Sequence, residues 1–304
     1  MNIGFVGAGG IGSYYAGLLS RAGHGVLLLA RGDHLAAIVA KGLEVRTPEE
    51  SFVVNVPATA DETQLASCDY IVVAVKGYSL GDVGETIARA AKNGATVVPL
   101  LNGIDVADRL VALGVPRESI IGGLARVSLV RSAPGVVERL TPFAKIVLGE
   151  FDGVSRHRTT QLVAALQLAG AEARVSDDII ADLWKKFAFI IPIAVTCGLS
   201  RGPMGPVLAT ERGRELLAGS LREVLAVSSA AGVRISDADA DTILHDLMAL
   251  APGMRPSFLY DLERGGPTEG DFLAGAVSRI GHLHGVPTPI NDVAAAAFEI
   301  ATQP

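Results

Sequence analysis

The first apolar run of the chain, Ile3–Val6, is followed by a glycine-rich stretch, by Ser13–Ala22 with apolar residues at helical spacing, and by a second apolar run, Val26–Ala30. This order predicts a strand over Asn2–Val6, a turn, a helix and a second strand. Further short apolar runs at Tyr70–Val75, Thr96–Leu101, Ile120–Leu124 and Lys145–Leu148 read as strands. A helix is expected over Ser155–Leu168 and a last strand over Glu172–Val175. Strands that are apolar at nearly every position suit a parallel sheet with helices on both faces, so residues 1–176 are expected to form one α/β domain.

From Asp177 onward the pattern changes to long Ala- and Leu-rich segments of helical period, with Gly and Pro only at breaks. Helices are expected over Asp177–Thr196, Glu211–Ala231, Asp237–Ala251, Thr268–His284 and Ile290–Thr302. Residues 177–304 therefore read as a second, all-α domain.

Composition agrees with two domains, because 304 residues at 49% hydrophobic can fill about two cores. A net charge of −6 without a run of Lys and Arg argues against a nucleic-acid partner. Cys68 and Cys197 are far apart and lack metal-ligand spacing, which predicts reduced core thiols and no metal. The longest apolar stretch, Phe187–Leu199, spans roughly 13 residues and contains Pro192, whereas a membrane span needs about 20. The N-terminus enters the first strand directly, without the charged segment and cleavage site of a secretory signal. Both features point to a cytoplasmic protein with no membrane partner.

The glycine-rich stretch, Gly7-Ala8-Gly9-Gly10-Ile11-Gly12, fits G-x-G-x-x-G and lies between a strand and a helix. Gly7 permits the tight turn, Gly9 lets the backbone approach a pyrophosphate, and Gly12 lets helix and strand pack closely, while the helix N-terminus offers N–H groups to the anion. The reading is a Rossmann dinucleotide-binding domain. At the end of the second strand, where an acid would accept hydrogen bonds from a ribose 2′-hydroxyl, stands Arg31, whose guanidinium suits a 2′-phosphate and favours NADP(H). The alternative makes Arg31 a solvated charge and gives the ribose to Asp33. Lys76 and Asn102 each follow a predicted strand at its carboxyl end, the edge at which open α/β sheets bind ligands, although strand ends and Asn-Gly pairs also surface as plain turns.

With these segments the chain resembles the ketopantoate reductase (2-dehydropantoate 2-reductase) family over nearly its whole length. The resemblance rests on GAGGIG with Gly17, LLLARGDHL, VAVKGYS, LLNGI, LWKKF and PSFLYDLERGGPTEGDFLAG, in order and spacing. It implies an all-α domain of the 6-phosphogluconate dehydrogenase C-terminal-like type, and reduction of a 2-oxo acid to a 2-hydroxy acid by NADPH, as in pantothenate biosynthesis. It further implies that Lys186 is the general acid, that Glu269 organises lysine and substrate, that Ser257 contacts the substrate carboxylate, and that Lys76, Asn102 and Asp261 line the nicotinamide and substrate cleft. Hydride arriving at a carbonyl carbon places negative charge on oxygen, and a neighbouring ammonium stabilises that charge and donates the proton. Taken alone, Lys186 beside Lys185 reads as an exposed helix charge, and Trp184 as a core anchor.

The chain departs from the family at four positions. Ile190, Ala194 and Met254 stand where the family has asparagine, and Leu101 where it has glutamine. A site that exchanges hydrogen-bonding side chains for apolar ones should reject a hydroxylated ligand, which predicts a 2-oxo acid with a more apolar tail, held through its carboxylate by Ser257 with Arg255 as a second candidate. Two other readings stay open, an opine or hydroxyacid dehydrogenase and a non-catalytic NADP(H)-binding sensor. The Ala294–Ala297 run allows close helix packing within one chain or in a homodimer.

Overall fold

The computed structural model describes residues 1–302, so the last two positions of the expected 177–304 domain lie outside the described residues. The chain divides into two compact units, Met1–Leu101 with Val106–Ile179, and Asn102–Asp105 with the residues from Ile180 on.

The first unit opens with β1 (Asn2–Val6), buried from Ile3 to Val6, then α1 (Gly10–Arg21), β2 (Gly25–Leu29), α2 (Gly32–Lys41), β3 (Leu43–Arg46), β4 (Ser51–Val54), β5 (Ala58–Thr59), β6 (Tyr70–Val73), α3 (Leu80–Lys92) and β7 (Thr96–Pro99). Five of these strands form a parallel sheet in the order β5-β2-β1-β6-β7. The order reverses at β1, and open α/β sheets bind ligands at the carboxyl edge beside such a reversal. After α4 (Val106–Ala112) come β8 (Gly122–Arg126), β9 (Leu129–Ala133), β10 (Val136–Arg139), β11 (Lys145–Gly149), α5 (His157–Leu168) and β12 (Glu172–Val175). A bridge from Val97 to Ile120 brings the segment before β8 beside β7, and β8, β11 and β12 form a second sheet.

Two expectations change here. β11 runs antiparallel to β8, so the strands are not all parallel. The physical reason lies in the connection: β9 and β10 return the chain as a hairpin, and no crossover helix intervenes. That hairpin joins β3 and β4 in a four-stranded sheet, β4-β3-β10-β9, which the sequence reading missed entirely. These strands have four or five residues and bury few of them, so each offers too few apolar positions to register as a period.

Helix α1 is buried from Gly12 to Leu19 because both the parallel sheet and this extra sheet lie against it. A Cβ on Gly17 would stand 2.8 Å from Val45 Cγ2, which accounts for glycine at that place. His34 of α2, 3% exposed, ties the layers together. Its Nδ1 accepts the Gly135 N–H at 2.9 Å, so Nε2 carries the proton and faces Ser13 Oγ of α1 at 3.2 Å. On the far side, Glu150 is buried and bonded to Arg158 and Thr159; burial raises its pKa, but these hydrogen bonds and the Arg158 and Arg156 charges hold it below the usual value.

The second unit contains α6 (Ile179–Ser200), whose first residue belongs to the other unit, α7 (Met204–Ala209), α8 (Glu211–Ala230), α9 (Asp237–Met248), α10 (Ser257–Arg264), α11 (Ala274–Leu283) and α12 (Pro289–Ile300). Helix α6 runs through Pro192, and the carbonyl of that residue accepts the Thr196 hydroxyl at 2.7 Å. Trp184 is a core residue, edge-on to Phe187. The buried Glu223 carboxylate meets the Ile290 and Asn291 N–H groups at 2.8 and 2.9 Å and caps α12 through space. The helix expected over Thr268–His284 is broken, because the backbone at Leu273 (φ −105, ψ −102) leaves the helical region and separates a short 3₁₀ turn, Gly270–Phe272, from α11. Helices α7 and α10 are additions to the expected set. Both cysteines are buried and unpaired, and burial pushes the Cys197 thiol up to about 11. No helix among the described residues is long and apolar enough to cross a membrane.

Burial, followed by the Arg131 charge, lowers the His34 pKa below its ordinary 6.5. The unfolded chain therefore binds a proton below pH 6.5 that the folded chain resists, and stability falls as pH drops from 6.5 through the folded value. Denaturant midpoints measured from pH 7.5 to 5 should decline over this range in the wild type, and a His34→Gln variant should show a shallower decline.

Candidate active site

The turn after β1 shows three glycines required for different reasons. Gly7 has φ +110, and a Cβ there would lie 2.8 Å from the Ala74 and Val75 backbone. A Cβ on Gly12 would lie 1.9 Å from the Gly7 carbonyl oxygen, and one on Gly10 would meet Leu129 of β9 at 2.8 Å. Gly9 is different: its φ is −79, and the nearest atom to a Cβ there is the Ala74 oxygen at 4.0 Å. Nothing in the protein demands glycine at 9, whereas a pyrophosphate approaching the α1 N-terminus would. Helix α1 has no side-chain cap and no acidic residue in its first turn, a setting that suits an anion at its leading N–H groups. The residues fit a dinucleotide.

Three more side chains leave the carboxyl edge of the same sheet. Arg31 is the N-cap of α2, two residues past β2, while Ala8, in the turn after β1, and Ile11, in the first turn of α1, are half-buried. The Arg31 guanidinium is 64% exposed and donates to Glu62 at 2.6 Å. Asp33 is exposed in the first turn of α2. Lys76 is half-buried at the N-cap of a 3₁₀ turn three residues beyond β6.

Asn102 follows β7 by three residues but belongs to the helical unit with Gly103, Ile104 and Asp105. Two contacts account for that. Ile104 packs on the helical core, and Asp105 accepts Arg279 of α11 at 2.9 Å. The same guanidinium pairs with the Asp271 carboxylate and donates to the Asp271 carbonyl at 3.0 Å. The loop is thereby fixed to the segment that begins at Glu269, which is 2% exposed. Into this arrangement α6 sends Lys186, half-buried, whose ammonium donates to Asn102 Oδ1 at 3.1 Å. Its neighbour Lys185 points elsewhere and pairs with Asp239 at 2.9 Å. The two adjacent lysines are thus separated in role, one a surface ion pair and the other a positioned cation. Ser257 and Asp261, four residues apart, share a face of α10, with Ser257 exposed and Asp261 half-buried.

The family described as Ketopantoate reductase PanE/ApbA matches residues 3–153, and its C-terminal counterpart matches residues 178–300. The chain belongs to the ketopantoate reductase family. A 2-dehydropantoate 2-reductase of Mesorhizobium japonicum is 31% identical over 316 residues, covering 96% of this chain and 95% of that protein. The crystal structure of 2-dehydropantoate 2-reductase from Geobacter metallireducens superimposes with a TM-score of 0.91 at 31% identity, covering 99% of this chain and all of that one. The fold is shared more widely: the ternary structure of D-mandelate dehydrogenase with NADH and anilino(oxo)acetate gives a TM-score of 0.86 at 22% identity, over 99% of this chain and 98% of that one. As a member of the ketopantoate reductase family the chain is an oxidoreductase that uses a nicotinamide dinucleotide.

Within the ketopantoate reductase frame the departures can now be located. Ile190 and Met254 are half-buried on the helical core, but Ala194 is 3% exposed and enclosed by it. Arg255 has a carboxylate partner of its own, since both Glu263 oxygens lie 2.5 Å from Nη2, and it also sits over the Tyr260 ring. The sequence reading missed Glu62, the His34 tie and the Arg279 clamp. The clamp joins residues 174 apart, and no local spacing announces such a pair.

The glycines separate folding from binding. Gly9→Ala should alter stability by no more than about 1 kcal/mol, while weakening dinucleotide binding about tenfold or more by blocking the pyrophosphate. Gly12→Ala should cost on the order of 3 kcal/mol through its clash with the Gly7 carbonyl. Thermal melts with and without cofactor measure both, and a Gly9→Ala protein that binds cofactor as wild type does would refute the assignment.

Proposed function

We propose that this protein reduces a 2-oxo acid to the 2-hydroxy acid with NADPH, and that its substrate carries a more apolar tail than ketopantoate. The observation that carries the reading is the Lys186 ammonium on Asn102 Oδ1 at 3.1 Å, a positioned cation on a mostly apolar helix. When bound, the reduced dinucleotide supplies hydride to the carbonyl carbon. Lys186 stabilises the negative charge that develops on the carbonyl oxygen and passes it a proton, a contribution of about 10² to 10⁴ in rate. Asn102 aims the amine, and the buried Glu269 is assigned to organising lysine and substrate. Ser257, exposed at the start of α10, accommodates the substrate carboxylate with Asp261 beside it. Arg255 is engaged with Glu263, which leaves Ser257 as the primary carboxylate contact.

In this reading residues 1–176 carry the dinucleotide on Gly7–Gly12, Lys76 and Arg31, and Asn102 is assigned as a further cofactor and substrate contact. Residues 177–304 carry Lys186 and Glu269. The preference for NADPH rests on Arg31, whose remaining guanidinium donors suit a 2′-phosphate. The apolar tail is inferred from Ile190 and Met254. Ala194 drops out of that argument because it is enclosed in the core. A sensor without turnover has no use for an ammonium held on an amide oxygen, and this favours an enzyme.

NADPH oxidation across a panel of 2-oxo acids tests the substrate. Branched and aromatic 2-oxo acids should exceed ketopantoate in kcat/KM, and a strong preference for ketopantoate would refute the apolar tail.

The two lysines test the chemistry. Lys186→Ala should lower kcat at least about 100-fold with cofactor affinity retained, whereas Lys185→Ala, which removes only a surface pair, should cost no more than about 1 kcal/mol of stability and leave kcat intact. Equal effects of the two substitutions would contradict the assignment.

A further inference from the structure

The acid missing from the end of β2 is supplied by the segment that follows the neighbouring strand. Strands β2 and β5 pair in parallel, with Leu29 opposite Thr59, so the residues that follow them emerge side by side at the carboxyl edge. Arg31 lies two positions beyond Leu29 and Glu62 three beyond Thr59, and the guanidinium meets the carboxylate at 2.6 Å. The other Glu62 oxygen accepts the hydroxyl of Thr86, which is buried in α3. Asp61, next to it, is occupied differently, accepting the Thr63 N–H and hydroxyl and the Gln64 amide. Glu62 is thus a carboxylate fixed in place against the one arginine expected to read the ribose.

We propose that Glu62 is a specificity-determining residue that moderates 2′-phosphate binding at Arg31 and keeps the unphosphorylated dinucleotide usable. The inference rests on the reading of Arg31 as the 2′-phosphate contact. A 2′-phosphate carries between one and two negative charges near neutral pH, and on Arg31 it would stand within a few ångströms of the Glu62 carboxylate. Repulsion at that range, in a setting as exposed as this one, weakens binding roughly tenfold. The same carboxylate offers an acceptor for a ribose 2′-hydroxyl, the task that an acid at the end of β2 performs in other dinucleotide sites. The Arg31 side of the pair is largely exposed, so its guanidinium opens to a competing anion at little cost, while Glu62 stays in place.

The test measures binding of 2′,5′-ADP and 5′-AMP by calorimetry to wild type, Glu62→Gln and Arg31→Ala, at 20 and 500 mM KCl. Glutamine keeps an acceptor for Thr86 and nearly the same shape, and removes the charge. It should tighten 2′,5′-ADP about tenfold at low salt, leave 5′-AMP unchanged or weaker, and lose most of its advantage at high salt, where the repulsion is screened. The ratio of kcat/KM for NADPH over NADH should rise in parallel. A Glu62→Gln protein that binds 2′,5′-ADP no tighter than wild type overturns the role of Glu62 while leaving Arg31 standing, provided that Arg31→Ala weakens 2′,5′-ADP. Binding of 2′,5′-ADP unaffected by Arg31→Ala overturns both.

Discussion

An ammonium group on an apolar helix has to be given acceptors, and the helical unit is arranged around that requirement. Helix α6 is apolar along most of its length, and a half-buried lysine in it would be costly without a partner. The partner comes from outside the helical sequence, from Asn102 on a loop that leaves the parallel sheet. That loop is held by Ile104 in the helical core and by Arg279, which spans Asp105 and Asp271. Four residues from the first half of the chain therefore belong structurally to the second, and they include the one that orients the amine.

The cofactor end is governed by packing of a different kind. Helix α1 is wedged between two sheets, so its N-terminus is a fixed object and its N–H groups need no rearrangement to receive an anion. The bond from His34 to Gly135 secures the extra hairpin, and its contact with Ser13 secures the helix. Gly9 alone among the turn glycines has no explanation inside the protein, and so it points to the ligand.

The βαβ start, the glycine turn, the apolar strands and the long helices were legible because each carries its period or punctuation within one window of sequence. Arg31, Lys76 and Asn102 were legible as strand-end residues for the same reason. The sheet of β3, β4, β9 and β10 was not, since strands this short and half-exposed leave no readable alternation. Neither the break at Leu273 nor the choice between Lys185 and Lys186 could be read from spacing, because each depends on what packs opposite. Glu62 illustrates the limit: spacing points to an acid in β2 itself, while the fold delivers one from the segment that follows β5.

The membership of Asn102–Asp105 bears on how this protein can be taken apart. A fragment excised at Ile180 would retain Lys186 and lose its amide acceptor, and a fragment ending at Ile179 would carry a loop evolved to dock on material no longer present. Chimeras between relatives meet the same difficulty if they are joined only at the obvious seam. Exchanging the helical half cleanly takes two grafts, the long C-terminal one and a four-residue one set inside the nucleotide-binding half.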